Sequence, residues 1–329
     1  MANVLNRYGL TSLHRLIIER CLQGRQNVST KPIGTETYAE SPVLVDKDDH
    51  ITLIGLNRPI HRNSINAETA QKLSEALADF ERDKTSPVAV IYGIGGSFCA
   101  GQDLTTLDTN NDKENFSALS TYRTIHRHSL KPIVCGINGY CVGDGLDLAM
   151  FCDLRVMEDT AVLGFFGRFT GYNVSCGGIA RLPAMIGFSR SLDLLLTGRR
   201  VCGREALQMG LINRLVATGT ALGQAVNLAF SIAKFPSEAL QKDRQAMYKN
   251  CYEHRNGLSA AIIEETKSFN NKVLLEIKEG VTRFKDAKSR GQKTDSWQVK
   301  PKIIPAWEQE EILEEQKFAS NGNFSDRKC

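Results

Sequence analysis

The sequence predicts an α/β fold, and three observations predict it. Short apolar strands alternate with amphipathic helices from Val43 to Val216. Glycine-bearing turns follow two of the buried strands and lead into helical or polar segments. Beyond Ala221 the pattern turns almost wholly helical, as an appended helical region would.

The elements follow in order. Val43–Val45 is an apolar triplet and Ile51–Leu56 alternates, which predicts two short strands around a polar turn. Asn66 is placed to cap a helix reaching Arg82, with Ala67, Ala70, Leu73, Leu77 and Phe80 on its inner face. Val88–Tyr92 reads as a buried strand ending in Gly93-Ile94-Gly95-Gly96. A helix is expected over Phe116–Arg127, then strand Ile133–Ile137, helix Leu146–Phe151 and strand Leu154–Met157. Cys176 to Leu211 should be mainly helical, with a last short strand over Ile212–Val216. Helices are expected over Leu222–Ala233, Ser237–Glu253 and Leu258–Gly280.

Composition narrows the function. The chain has 329 residues, 42% hydrophobic and 24% charged, with a net charge of +4. That balance is ordinary for a globular domain and carries no basic footprint for nucleic acid. No run reaches the roughly 18 apolar residues of a membrane helix. The nine cysteines are odd in number and lack a CxxC pair, so they read as reduced core residues. The six histidines offer no ligand spacing, and no metal site is expected. The first 18 residues hold arginines and leucines without an acidic residue, the composition of a mitochondrial transit peptide. The expected division is therefore 1–41 as leader or extension, 42–236 as core, 237–291 as helical region and 292–329 as tail.

Two turns carry the chemistry. The first is Ser97-Phe98-Cys99-Ala100-Gly101-Gln102-Asp103-Leu104, and the second runs from Asn138 through Gly143-Asp144-Gly145 to Asp147. Small residues let a ligand approach backbone N–H groups, and a helix start adds positive partial charge. If the turns converge, they form an oxyanion hole for a thioester carbonyl becoming an enolate. GxGxxG, GxxxxGK[ST] and GxSxG are all missing, which argues against dinucleotide, P-loop and serine-hydrolase chemistry.

Taken in order, Leu56-Asn57-Arg58-Pro59, Arg62-Asn63-Ser64, the two turns, the stretch from Gly177 to Arg199 and Ala206–Val216 resemble the enoyl-CoA hydratase/isomerase (crotonase) family. The resemblance runs from Val43 to Gly291. It implies a spiral of repeated ββα units with a C-terminal helical trimerisation region, and a homotrimer or hexamer. It implies an enzyme of hydration or isomerisation acting on acyl-CoA, with coenzyme A as part of the substrate and no separate cofactor. By that likeness the N–H groups of Gln102 and Asp144 are the oxyanion donors, and Asp147 is the general acid or base. Arg58, Arg62, Ala100, Gly101 and Gly143 would line the bound thioester, although Arg58 is equally placed for an intradomain ion pair. Two departures stand out. Gly167 falls where hydratases of the family carry a second glutamate, and Asp144 falls where they usually carry glycine. Arg168, beside Phe165, Phe166 and Phe169, could bind an acidic acyl group, while the aromatics read as core. Decarboxylation, thioester hydrolysis or non-catalytic acyl-CoA binding would suit the same turns.

Overall fold

The computed structural model describes residues 41–48, 50–106, 125–171, 174, 176–235, 237–253, 275, 278–283 and 285–286. The leader and tail, and most of the helices expected over Phe116–Arg127 and Leu258–Gly280, lie outside the described residues.

Strands β1 (Val43–Asp48) and β2 (Ile51–Leu56) form an antiparallel hairpin with Val43 opposite Leu56 and Asp48 opposite Ile51. β1 runs three residues past the apolar triplet, because pairing along its whole length holds Asp46 and Lys47 extended at the sheet edge. Helix α1 (Ala67–Arg82) follows, and its Asn66 cap accepts from the Thr69 N–H at 2.9 Å. Its buried face is Thr69, Ala70, Leu73, Ala76, Leu77 and Phe80. Ala67, expected on that face, is exposed at the first position of the helix.

β3 (Val88–Gly93) and β4 (Ile133–Ile137) continue the sheet in parallel. After β4 the chain forms β5 (Tyr140–Val142), α2 (Asp144–Phe151), β6 (Leu154–Glu158) and β7 (Val162–Gly164). A 3-10 turn, Phe166–Thr170, precedes helices α3 (Gly178–Ile186) and α4 (Phe188–Thr197). Then come β8 (Val201–Cys202), α5 (Gly203–Gln208) and β9 (Arg214–Val216). The large sheet has the order β1-β2-β3-β4-β6-β9, and a small second sheet has the order β5-β7-β8. Successive units thus place one strand in each sheet before a helix: β4, β5, α2, then β6, β7, α3. This is the expected ββα repeat. The small sheet itself was not expected. Strands of two or three residues carry no readable period, and β8 interrupts a stretch read as helical.

Helix α6 (Ala221–Ala233) covers the outer face of the sheet with Ala225, Val226 and Ala229 against Val90, Val134 and Val156. The larger core lies on the other face, where α1 and α2 pack with Phe98, Phe151 and Phe165. Cys99, Cys135, Cys141, Cys152 and Cys176 are buried and outside any disulfide, as expected of core thiols. Helix α7 (Ser237–Tyr248) gives way to a π-helical turn at Lys249–Glu253, where one continuous helix was expected. An ion pair from Arg244 to Asp153 (2.6 Å) and a bond from the Tyr248 hydroxyl to the same carboxylate (2.7 Å) fix α7 to the core. Among the described residues no helix is long and apolar enough to cross a membrane.

Candidate active site

The small sheet brings the two turns together. Cys99 bridges to Cys141: its N–H donates to Tyr140 O at 2.9 Å, and the Val142 N–H donates to Cys99 O at 3.0 Å. Gly101 then adopts a φ of +85° and Gly143 a φ of +55°, conformations that disfavour a side chain. A Cβ on Gly101 would lie 2.8 Å from Val142 O and 3.3 Å from the Asp144 nitrogen. Glycine therefore allows one turn to touch the other at the start of α2.

Within α2, Leu146 and Asp147 donate to Gly143 O at 2.9 and 3.2 Å. The Asp144 N–H precedes that ladder and, like the Gln102 N–H, makes no hydrogen bond among the described residues. On the first turn, Ile65 donates to Gly101 O at 2.8 Å and Asp103 to Ile65 O at 2.9 Å, leaving Gln102 between them. Ala100 is held by Arg62 O at 3.0 Å.

Arg58 makes the ion pair of one of its two readings. Its guanidinium pairs with Asp103 at 2.8 Å and donates to Ser64 O at 2.5 Å, so it braces the first turn from within. Arg62 is exposed, with its guanidinium 5.0 Å from the Tyr140 ring centroid. Asn63 has a larger part than the sequence suggested. Its side chain accepts from the Arg58 N–H and donates to Ile94 O (3.0 Å) and Ser97 O (2.7 Å). It holds a φ of +55°, which asparagine tolerates better than most residues.

Asp144 and Asp147 share the first turn of α2, and their oxygens lie with the Cys176 sulfur in a group of atoms all within 4.8 Å. Asp144 is 4% exposed and Asp147 fully buried. Burial pushes the Asp144 carboxyl up to about 7. Asp147 Oδ1 presses on the Cα of Gly178, where a Cβ would clash, at the start of α3. The buried Arg181 pins that segment by donating to Cys176 O at 3.1 Å. Cys176, read as a plain core residue, thus belongs to the site. As metal donors, two carboxylates and one thiol suit neither the oxygen-rich shells of hard cations nor the sulfur- and nitrogen-rich shells of soft ones.

Gly167 and Arg168 lie in the 3-10 turn just after β7, whose Gly164 O accepts from the Gly143 N–H at 2.9 Å. Gly167 offers no carboxylate there. The Arg168 Nε is buried without a hydrogen-bond partner among the described residues, and burial lowers the guanidinium's affinity for its proton. Phe165 is in the core, as expected, whereas Phe166 and Phe169 are half-buried with ring centroids 5.9 Å apart.

The family model for enoyl-CoA hydratase/isomerase matches residues 46–292. This chain belongs to the enoyl-CoA hydratase/isomerase family. A Thermus thermophilus protein bearing an enoyl-CoA hydratase name is 36% identical over 211 residues, 62% of this chain and 83% of its own length. The mouse protein "Enoyl-CoA hydratase domain-containing protein 2, mitochondrial" is 32% identical over 58% of this chain and 66% of itself. Among solved structures, carnitinyl-CoA hydratase from Mycobacterium avium superposes with a TM-score of 0.66 at 26% identity, covering 77% of this chain and 97% of that one. The family membership makes the chain an enzyme of the hydratase/isomerase kind and its fold that of the crotonases.

Proposed function

We propose that this hydratase/isomerase family member acts on acyl-CoA thioesters, stabilising an enolate at the N–H groups of Gln102 and Asp144. The observation that carries this reading is the contact between the two turns, with both N–H groups unengaged beside it. Two preorganised donors at a helix start would hold a developing oxyanion at no reorganisation cost. The carboxyls at the start of α2, Asp144 and Asp147, would serve the proton transfer at the neighbouring carbon. Ala100, Gly101 and Gly143 would line the thioester, and Arg62, exposed at the rim, would meet the coenzyme's phosphates. The reaction draws on no cofactor beyond the coenzyme A of the substrate.

A panel of enoyl-, hydroxyacyl- and malonyl-type CoA thioesters, with products read by mass spectrometry, tests the reading. Hydration or double-bond migration is expected. Release of free coenzyme A as the main outcome, or no turnover of any thioester, would reject it, whereas release of carbon dioxide would keep the enolate and change the reaction. A homotrimer is the assembly proposed. A mitochondrial site is proposed from the acid-poor, arginine-bearing first residues and the mouse relative. A fusion of residues 1–41 to a fluorescent reporter would refute that location by staying in the cytosol.

A further inference from the structure

We infer that Asp144 is the group that exchanges a proton with the substrate's carbon chain, with Asp147 acting on the substrate only through it. The inference rests on the enolate reading above and assigns a reaction within it, the migration of a carbon–carbon double bond.

Position comes first. Asp144 opens α2 and its own nitrogen stands beside Gly101, so its side chain leaves the backbone at the point where the oxyanion would be held. Asp147 lies three residues further along the helix, deeper, with no exposure and its carboxylate against Gly178. The order of depth makes Asp144 the carboxyl that a ligand at the turns would meet.

Chemistry comes second. Asp144 is more than nine-tenths buried, yet its carboxyl makes no hydrogen bond or ion pair among the described residues. A buried carboxyl without partners strongly disfavours its charged form. The groups facing it do not reverse this: Asp147 on the same helix, Cys176 before α3, and Cys99 on the first turn, a buried thiol pushed up to about 12. None supplies a positive charge. With burial raising it to about 7, Asp144 exists near neutrality as both acid and base, which a proton carrier requires.

Both carboxyls come from one helical turn, and the turn at Gly167 adds none. A single proton carrier suffices to move a double bond. The Asp144 carboxylate takes a proton from C2 of a 3-enoyl thioester. The C–H electron pair moves into the thioester carbonyl, whose oxygen rests on the Gln102 and Asp144 N–H groups. Asp144, now an acid, returns that proton to C4 as the dienolate electrons close the C2–C3 double bond. The carboxylate is regenerated, and no water or second base is consumed.

The test compares wild type with Asp144→Asn, Asp144→Gly and Asp144→Glu on 3-enoyl-CoA thioesters, following kcat/KM against pH. Wild-type kcat/KM should rise with pH through about 7 and then level, because the base form starts the reaction. Asp144→Asn and Asp144→Gly should lose about 10²–10⁴-fold and the rise with it, while Asp144→Glu recovers part of both. Acyl-CoA affinity by calorimetry should change little in all three, since the backbone N–H remains; that retained binding also certifies folding. Turnover by Asp144→Gly equal to or above wild type would overturn the inference, showing Asp144 to be a mere substitute for the family's glycine. An unchanged pH limb in Asp144→Glu and Asp144→Asn would do the same. A wild type that hydrates 2-enoyl thioesters but moves no double bond sinks the isomerisation and leaves the enolate reading standing. A wild type that turns over no thioester sinks both.

Discussion

The two turns of the site each hold a buried aspartate, and the two carboxyls behave in opposite ways. Asp103 is 3% exposed and Asp144 4%, although protein encloses Asp144 more deeply. Burial pushes Asp103 up, but the Thr105 hydroxyl and the Arg58 guanidinium more than offset it, leaving Asp103 below the usual carboxylate range. Asp144 is more deeply enclosed, has no such partner among the described residues, and rises to about 7. The first turn is therefore an ion-paired brace, and the second keeps a carboxyl poised to change charge. Partners and depth together decide which aspartate is structural and which is available for chemistry.

Removing the brace should make the first turn resemble the second. Arg58→Met leaves Asp103 buried without its cation, and breaking such a pair costs about 3 kcal/mol. Because the partners hold Asp103's folded-state pKa below its unfolded value, their stabilisation is complete above the unfolded value, about 3.9. It fades as pH falls through the lower, folded value. Urea unfolding should thus show the deficit at pH 7 and a narrowing gap below about pH 4. Identical midpoints at pH 7 would mean that the pair is not what braces the turn.

Altering the second turn should spare stability and strike turnover. Asp147→Asn nearly preserves volume and leaves the proton carrier Asp144 in place, so kcat should fall less than in Asp144→Asn while acyl-CoA affinity changes little. Steady-state kinetics beside calorimetric titration separates the two effects. A loss as large as that of Asp144→Asn would make Asp147 the proton carrier and undo the assignment of Asp144.

The smallest effect should come where the turns touch. Gly101→Ala imposes a side chain at a φ of +85° and brings Cβ to 2.8 Å from Val142 O. A loss of about 1–3 kcal/mol is expected from the backbone strain, with weaker acyl-CoA binding as the turns part. Unchanged melting and unchanged affinity would show that the turns tolerate separation, against the proposed oxyanion site.

Much of this architecture was legible in the chain. Asn66 and the apolar spacing after it predicted α1, its cap included, because capping and amphipathic spacing are local properties. The buried strands β2, β3 and β4 were likewise visible as apolar runs between turn residues. The small sheet was not, since β5, β7 and β8 are too short to show a period and exist only by pairing with one another. In the site, the glycines at 101 and 143 pointed to the turns, while Asn63 and Cys176 gave little sign of their places. The Arg58–Asp103 pair joins residues 45 apart in the chain, and only one of the two readings open for Arg58 contained it.

By itself the sequence determined the α/β class, the positions of both turns, the family resemblance and the departures at Asp144 and Gly167. Those are properties of residue order, set by what each short stretch can adopt locally. Tertiary structure alone decided that Gly101 touches Asp144, that Asp103 has a cation and Asp144 none, and that Asp147 lies beneath its neighbour. The reason is that protonation depends on the local dielectric and on charges within a few ångströms, and most of those neighbours arrive from distant parts of the chain.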